Sequence, residues 1–197
     1  KNSLAKANPA NNIAKKINTT DETPQIQVAI LLDTSSSMSG LINQTRTELW
    51  SVINALSDAK KFDLQPIFNV ALYEYGNDGI KNADFVRQIS SFTSDFDQIS
   101  EHLFSLTTNG GSEHSGAVID EAATELLWSP TDDNLKVIFI AGNESFNQGE
   151  MPFQEAITKA KKEGIIINTI YCGNRDAGIQ EQWSDGAVLG NGTFFSI

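Results

Sequence analysis

The sequence predicts a doubly wound α/β fold, with a mainly parallel six-stranded sheet, helices on both faces and one antiparallel edge strand. Short apolar runs rich in β-branched residues alternate with longer segments whose apolar positions recur every three or four residues. These are the patterns of buried parallel strands and of amphipathic helices. The chain has 197 residues, of which 40% are hydrophobic. This is enough for one domain with a substantial core.

The first half of the predicted sheet follows from three apolar runs. IQVAILL at residues 26–32 is nearly continuous, as expected of a central strand buried on both faces. A helix over residues 40–58 leads to a second strand at residues 67–75. Residues 83–90 alternate less cleanly and follow the turn sequence GNDG, which indicates a hairpin to an antiparallel edge strand.

The second half continues the same alternation, so crossovers between parallel strands are expected throughout. Three helical patterns and three strands are predicted in order: a helix at 118–127 stopped near Pro130, a strand at 137–141, a helix at 153–160 closed by Gly164, a strand at 165–170, a short helix around Ile179 and Trp183, and a strand at 193–197.

The ends of the sequence contain less pattern. Residues 1–24 are rich in Asn, Ala, Lys and Thr and end in Pro24, so they are interpreted as a linker or tail before a domain at residues 25–197. The sequence begins with Lys1 rather than Met and is expected to be an excised piece. The final helix usual in such folds does not follow Ile197, and exposed apolar surface there would favour self-association. Cys172 has no partner cysteine and is expected to be a small buried residue.

Charge and hydropathy exclude several classes of partner. The formal net charge is −11, so phosphate backbones are repelled on average and nucleic acid is not an expected partner. No apolar run approaches the roughly 20 residues of a membrane-spanning helix, so no direct membrane insertion is expected in this segment. The phosphate-binding, dinucleotide-binding, zinc-protease and EF-hand motifs are also missing from the sequence. No enzyme is predicted.

The most informative motif lies at the carboxyl end of the first strand, where ligands of such sheets bind. In the sequence DTSSS, Asp33, Ser35 and Ser37 are hard oxygen donors that can converge at the sheet edge. A cation held by one carboxylate and two neutral hydroxyls keeps a net positive charge and an incomplete shell. The alternative is that Asp33 and the serines only turn the chain and cap a helix.

DTSSSMSG resembles the DxSxS metal-ion-dependent adhesion site of von Willebrand factor A domains, and the resemblance covers about residues 25–197. NGGSEHSGAVIDEA resembles the glycine-glycine-threonine loop that leads into a long helix in that family. Ser112 falls at the family's threonine ligand, and Glu113 beside it is an additional candidate ligand. The alternative interpretation of the two glycines is an ordinary turn. Both histidines, His102 and His114, are expected not to bind metal.

The sequence departs from the family at its third motif, the aspartate in the loop after residues 137–141. Here the sequence is AGNE, and Asn143 aligns best with that acid. Asparagine keeps a carbonyl oxygen but lacks the negative charge. Unless Glu144 substitutes for the missing aspartate, the site is predicted to bind metal more weakly than one with two carboxylates.

The resemblance implies a function in protein binding. It predicts one Mg²⁺ ion, or Mn²⁺ or Ca²⁺, that accepts an Asp or Glu carboxylate from a partner protein in adhesion or assembly. AGNESFNQGE and YCGNRDAGIQEQW resemble a bacterial, function-unassigned branch of the family, which implies an extracytoplasmic protein in a bacterium. Two alternatives remain open: a metal-independent scaffold, supported by the Asn143 departure, and a hydrolase in which bound metal activates water.

Overall fold

A computed structural model of the chain describes residues 23–57, 65–82 and 84–197. Within these ranges the strands form a single six-stranded sheet in the order β3-β2-β1-β4-β5-β6. The strand bounds are β1 Gln25–Asp33, β2 Ile67–Tyr75, β3 Val86–Thr93, β4 Leu135–Gly142, β5 Ile166–Tyr171 and β6 Asn191–Ser196. All neighbouring strands are parallel except β2 and β3, which are antiparallel. The predicted fold class is confirmed.

The helices cover both faces of this sheet. Their bounds are α1 Ile42–Ser57, α2 Phe96–Ser105, α3 Ser115–Glu125, α4 Phe153–Lys162, α5 Arg175–Gln180 and α6 Trp183–Leu189. A short 3-10 helix, Ser36–Gly40, precedes α1.

Two cores lie on opposite sides of β1 because successive side chains of a strand point to opposite faces. Ala29 and Leu31 pack with α3, α4 and α6, whereas Val28, Ile30 and Leu32 pack with α1 and α2. Since these five residues are at most 1% exposed, the strand is fully enclosed. This explains why its sequence is continuously apolar rather than alternating.

The edge strand β3 begins three residues later than the sequence indicates. The side chain of Asn82 accepts a hydrogen bond from the backbone N–H of Val86 over 3.0 Å, and its amide donates to the carbonyl oxygen of Val86. Phe85 adopts a left-handed backbone with φ of 52°. This local turn lies directly before the first residue of the strand, Val86.

Helix α2 is absent from the sequence-based prediction. It has only two buried side chains, Ile99 and Leu103, and therefore too short an apolar stripe to be recognised among polar neighbours. Its start is nonetheless fixed by Asp95, whose side chain accepts a hydrogen bond from the backbone N–H of Gln98 over 3.0 Å. This is the geometry of an N-terminal cap.

The structure also differs from the prediction at other elements. The helix predicted to reach residue 127 ends at Glu125, and Leu127, which was expected on its apolar face, is 89% exposed. The short helix predicted around Ile179 and Trp183 is two helices, separated where Gln182 adopts a left-handed backbone with φ of 69°. Strand β6 starts at Asn191 rather than residue 193.

The expected buried state of Cys172 is confirmed, since 2% of the residue is exposed and its thiol lies 3.2 Å from the hydroxyl of Thr45. Burial raises the pKa of this thiol to about 12. Of the predicted tail, residues 1–22 lie outside the described ranges, and the domain boundary stays a prediction.

Candidate metal centre

The loop after β1 is folded tightly against the carboxyl edge of the sheet. Asp33 is the last residue of β1, and its Oδ1 accepts a hydrogen bond from the backbone N–H of Ser35 over 2.7 Å. The backbone N–H of Thr34 donates to the carbonyl oxygen of Tyr75, the last residue of β2, over 2.9 Å. The chain therefore turns at the point where two central strands end.

A chain of polar side chains joins this loop to the loop after β4. The hydroxyl oxygens of Ser35 and Ser37 are 2.9 Å apart, and the Ser37 hydroxyl donates to Oδ1 of Asn143 over 2.8 Å. Ser37 and Asn143 are 106 residues apart in the sequence. The structure thus brings together four of the predicted site residues, including Asp33 at the start of the same loop.

The carboxyl group of Asp33 is buried with one oxygen unpaired. The residue is 0% exposed, and Oδ2 has no hydrogen-bond partner within the described part of the chain. Burial, with a smaller contribution from the nearby charge of Glu113, raises the pKa of Asp33 to about 7, although hydrogen bonds with Ser35 and with the backbone of Asn143 oppose the rise. A desolvated carboxylate with an open oxygen fits the binding of a cation.

Glu113 lies beside Asp33 on a different loop. It precedes α3 and is 6% exposed. A methyl group added at Gly76 would lie 2.9 Å from Oδ1 of Asp33 and 3.1 Å from Cγ of Glu113, so the two acidic side chains flank the same glycine. Burial raises the pKa of Glu113, a hydrogen bond with the Ser35 side chain lowers it, and the charge of Glu144 raises it.

The glycine-glycine loop packs directly against the loop after β1. The backbone N–H of Ser36 donates to the carbonyl oxygen of Gly110, and that of Asn109 donates to the carbonyl oxygen of Thr34 over 3.0 Å. A side chain at Gly111 would collide with the carbonyl oxygen of Gly76. The two glycines therefore permit a close approach of backbones, which is more than an ordinary turn requires.

The other two candidate ligands lie farther out. Ser112 is partly buried next to Glu113. Glu144 is exposed, although its carbonyl oxygen accepts a hydrogen bond from the indole N–H of Trp183 over 2.7 Å. The charge of Glu144 raises the pKa of Glu113.

Tyr75 and Gly76 were not predicted as site residues. Tyr75 is 0% exposed, and its hydroxyl donates to the carbonyl oxygen of Ala141 over 3.1 Å, which ties β2 to the end of β4. Gly76 has a left-handed backbone with φ of 74° and leaves the space that Asp33 and Glu113 share. Their position at the end of β2 was the available signal, since the sequence indicated that ligands bind where strands end.

The candidate centre contains neutral oxygen donors as well as acids. Among the described residues, no three His, Cys, Asp or Glu side chains cluster in a way that would hold a metal ion. The convergent groups are instead the carboxylate of Asp33, two serine hydroxyls and the amide oxygen of Asn143. Such hard oxygen donors are the ligand types preferred by Mg²⁺ and Ca²⁺.

The von Willebrand factor type A domain family matches residues 27–182, and the chain belongs to this family. Its domains are mostly interaction modules, and many bind a metal ion at this loop. No curated protein sequence matches the chain significantly.

Solved structures support the fold. The conserved hypothetical protein BatB from Bacteroides thetaiotaomicron has a TM-score of 0.67 at 15% identity, with 87% of this chain and 90% of that one covered. Proximal thread matrix protein 1 of the mussel byssus, with a zinc-occupied metal-ion-dependent adhesion site, has a TM-score of 0.64 at 13% identity, covering 88% of this chain and 42% of that one. The pilus adhesin SpaC from Lactobacillus rhamnosus GG has a TM-score of 0.63 at 13% identity, covering 90% and 28%. At these identities the likeness shows the fold alone.

None of the helices in the described ranges is both long and apolar enough to cross a membrane.

Proposed function

We propose that this domain is a divalent-cation-dependent protein-binding module, in which one ion at the loop Asp33–Ser37 accepts a carboxylate from a partner protein. One observation carries the proposal. The hydroxyls of Ser35 and Ser37 and the amide of Asn143 converge from two loops, next to a buried Asp33 oxygen that has no partner in the described part of the chain. A cation would satisfy that oxygen, which capping alone does not.

The donor set indicates what kind of ion and partner would fit. Oxygen ligands favour Mg²⁺, with Mn²⁺ and Ca²⁺ as alternatives. Asp33, Ser35 and Ser37 would hold the ion, and Ser112, Glu113, Asn143 and Glu144 are the further candidate ligands. A partly neutralised ion at the edge of the sheet attracts an anionic group. An Asp or Glu side chain of another protein would supply it.

Adhesion or assembly outside the bacterial cytoplasm is the setting we propose for this binding. The support is the set of proteins with similar structures, which includes a pilus adhesin from Lactobacillus rhamnosus GG and an aerotolerance-related membrane protein from Bacteroides fragilis.

The net charge of −11 favours a protein over nucleic acid as the partner.

A metal-independent scaffold is the second candidate function. It is favoured by the hydrogen bonds among Ser35, Ser37 and Asn143, because these groups already satisfy one another without an ion. The scaffold predicts that partner binding survives chelation. The cation-dependent module predicts that it does not.

The deciding experiment is isothermal titration of metal-stripped protein with Mg²⁺ and with Mn²⁺. We expect saturable one-site binding by the wild type and none by Asp33→Asn, since the amide keeps the shape and the acceptor for Ser35 but not the charge. Asp95→Asn is the matched control because Asp95 caps α2, and it should bind as the wild type does. Folded wild-type protein that binds neither ion at millimolar concentration would contradict the proposal and favour the scaffold.

A further inference from the structure

We infer that Glu113 supplies the second negative charge of the cation site, in place of the acidic residue that Asn143 replaces. This inference rests on the proposed function and specifies how the same site is completed. The family motif expects its second carboxylate after β4, where this chain has an amide. The structure instead buries a carboxylate on the loop before α3, at a position to which the motif assigns no ligand.

The placement of Glu113 carries the argument. Its Cγ and the Oδ1 of Asp33 approach the same point above Gly76, to 3.1 and 2.9 Å. It also hydrogen-bonds with the side chain of Ser35, the middle residue of the motif. Burying a carboxylate is costly unless an opposite charge compensates it, and no basic residue in the described part of the chain forms an ion pair with Glu113 or Asp33. One divalent cation between them would compensate both.

Glu144 is the competing source of charge, and its surroundings differ. Its side chain is exposed, so water already solvates the carboxylate. Its carbonyl oxygen accepts a hydrogen bond from the indole N–H of Trp183, which fixes the backbone and leaves the exposed side chain without a partner of its own in this bond. Asn143, by contrast, accepts a hydrogen bond from the Ser37 hydroxyl through its amide oxygen. It completes the polar chain as a candidate metal ligand without charge.

The loop that carries Glu113 is held by contacts of its own backbone. Its backbone N–H points to Oε1 of Gln148 over 3.4 Å, and its carbonyl oxygen accepts from the N–H of Ser115 over 3.0 Å. Gly149 packs against the ring of His114, and Gly116 packs against the backbone of Met151. A loop backbone held this way has little conformational freedom left to lose when its side chain coordinates a cation, which favours metal affinity.

A second carboxylate changes what the site does to a partner. Two carboxylates neutralise the two charges of the cation, so they strengthen its retention but weaken its attraction for a third carboxylate. Removing Glu113 should therefore have opposite effects on the binding of the cation and on the capture of an external carboxylate by the bound cation. The cation should bind less tightly, and the bound cation should capture an external carboxylate more strongly.

The test is Mn²⁺ titration of five proteins: wild type, Glu113→Gln, Glu144→Gln, Asn143→Asp and the double variant Glu113→Gln with Asn143→Asp. We expect Glu113→Gln to weaken Mn²⁺ by about tenfold or more, and Glu144→Gln to change it less than about twofold. The double variant should recover most of the loss because it moves the charge back to the loop after β4. The substitution Asn143→Asp should increase the affinity for Mn²⁺ less in the wild type than in the Glu113→Gln variant.

A second measurement uses acetate as the carboxylate probe. Mn²⁺ titrations in acetate and in chloride, at equal ionic strength, give the coupling between cation and carboxylate, which is reciprocal. We expect acetate to tighten Mn²⁺ more in Glu113→Gln than in the wild type. Wild-type Mn²⁺ affinity in Glu113→Gln, a loss in Glu144→Gln instead, or equal acetate coupling would each overturn the inference alone. A wild type that binds no cation would overturn the proposed function as well.

Discussion

Asp33 and Glu74 are two buried carboxyl groups at the ends of neighbouring strands, but only one of them has a basic side chain beside it. Asp33 pairs in register with Tyr75, and Glu74 pairs with Leu32, so the two acids are one step apart along the sheet. Their exposures are 0% and 1%. Glu74 has a basic partner, since Nη2 of Arg87 on β3 lies 2.5 Å from its Oε1. Asp33 has no basic partner among the described residues.

The difference separates a structural acid from a candidate ligand. Burial raises the pKa of Glu74, and the charge and hydrogen bond of Arg87 lower it, so the protein itself offsets part of the cost of burying this carboxylate. At Asp33 burial raises the pKa to about 7, and only hydrogen bonds oppose the rise. Burial alone therefore does not identify a functional carboxyl group. The missing counter-charge is what makes Asp33 a candidate ligand.

The largest expected effect is that a cation stabilises the protein, and that this stabilisation requires Asp33 but not Glu74. Mn²⁺ at a hundred times its dissociation constant should add about 2.7 kcal/mol to the wild type. In a chain of this size that raises the melting temperature by about 5–10 °C. Differential scanning fluorimetry should give the same rise for Glu74→Gln and none for Asp33→Asn. A rise that Glu74→Gln removes and Asp33→Asn keeps would reverse the roles of the two acids.

The second expected effect is a loss of stability when Glu74 loses its basic partner, Arg87. Arg87→Met removes the guanidinium and keeps much of the side-chain stem, which leaves Glu74 buried without its counter-charge. We expect a loss of about 1–3 kcal/mol in the free energy of unfolding at neutral pH, measured by urea denaturation. Glu74→Gln combined with Arg87→Met should lose less, because no buried charge is then unpaired. Equal losses in the two proteins would show that the ion pair contributes little.

The fold was predictable from sequence wherever apolar periodicity was strong. The strands β1, β2, β4 and β5 and the helices α1, α3 and α4 carry long apolar patterns, and their existence and order were correct. Helix α2 was missed because only Ile99 and Leu103 are buried. The division between α5 and α6 depends on the left-handed backbone of Gln182, and glutamine does not indicate such a conformation.

The candidate site was predictable in its residues but not in its arrangement. The DxSxS motif selected Asp33, Ser35 and Ser37, and alignment selected Asn143, and the structure brings these four together. Which of Glu113 and Glu144 is buried depends on contacts with Gly76, Gln148 and Trp183, which are distant in sequence. Likewise, only the pairing of β2 with β3 shows that Glu74 has a counter-charge while Asp33 does not. Which residues bind the ion stays a prediction.

The smallest effect is a difference in pH dependence that Glu74 alone should cause. Its pKa in the folded protein is raised above the ordinary value of 4.5. The folded state therefore holds the proton more tightly than the unfolded state. Stability from this group is present below about pH 4.5 and is lost as the pH rises through the folded value, with a slope of at most about 1.4 kcal/mol per pH unit. Urea denaturation of metal-free wild type and Glu74→Gln across this range should show the extra decline only in the wild type.

In Arg87→Met the decline should extend to higher pH, because the charge that lowers the pKa of Glu74 is gone. Parallel pH profiles for wild type and Glu74→Gln would contradict the raised pKa of Glu74 and would mean that Arg87 compensates the buried carboxylate completely.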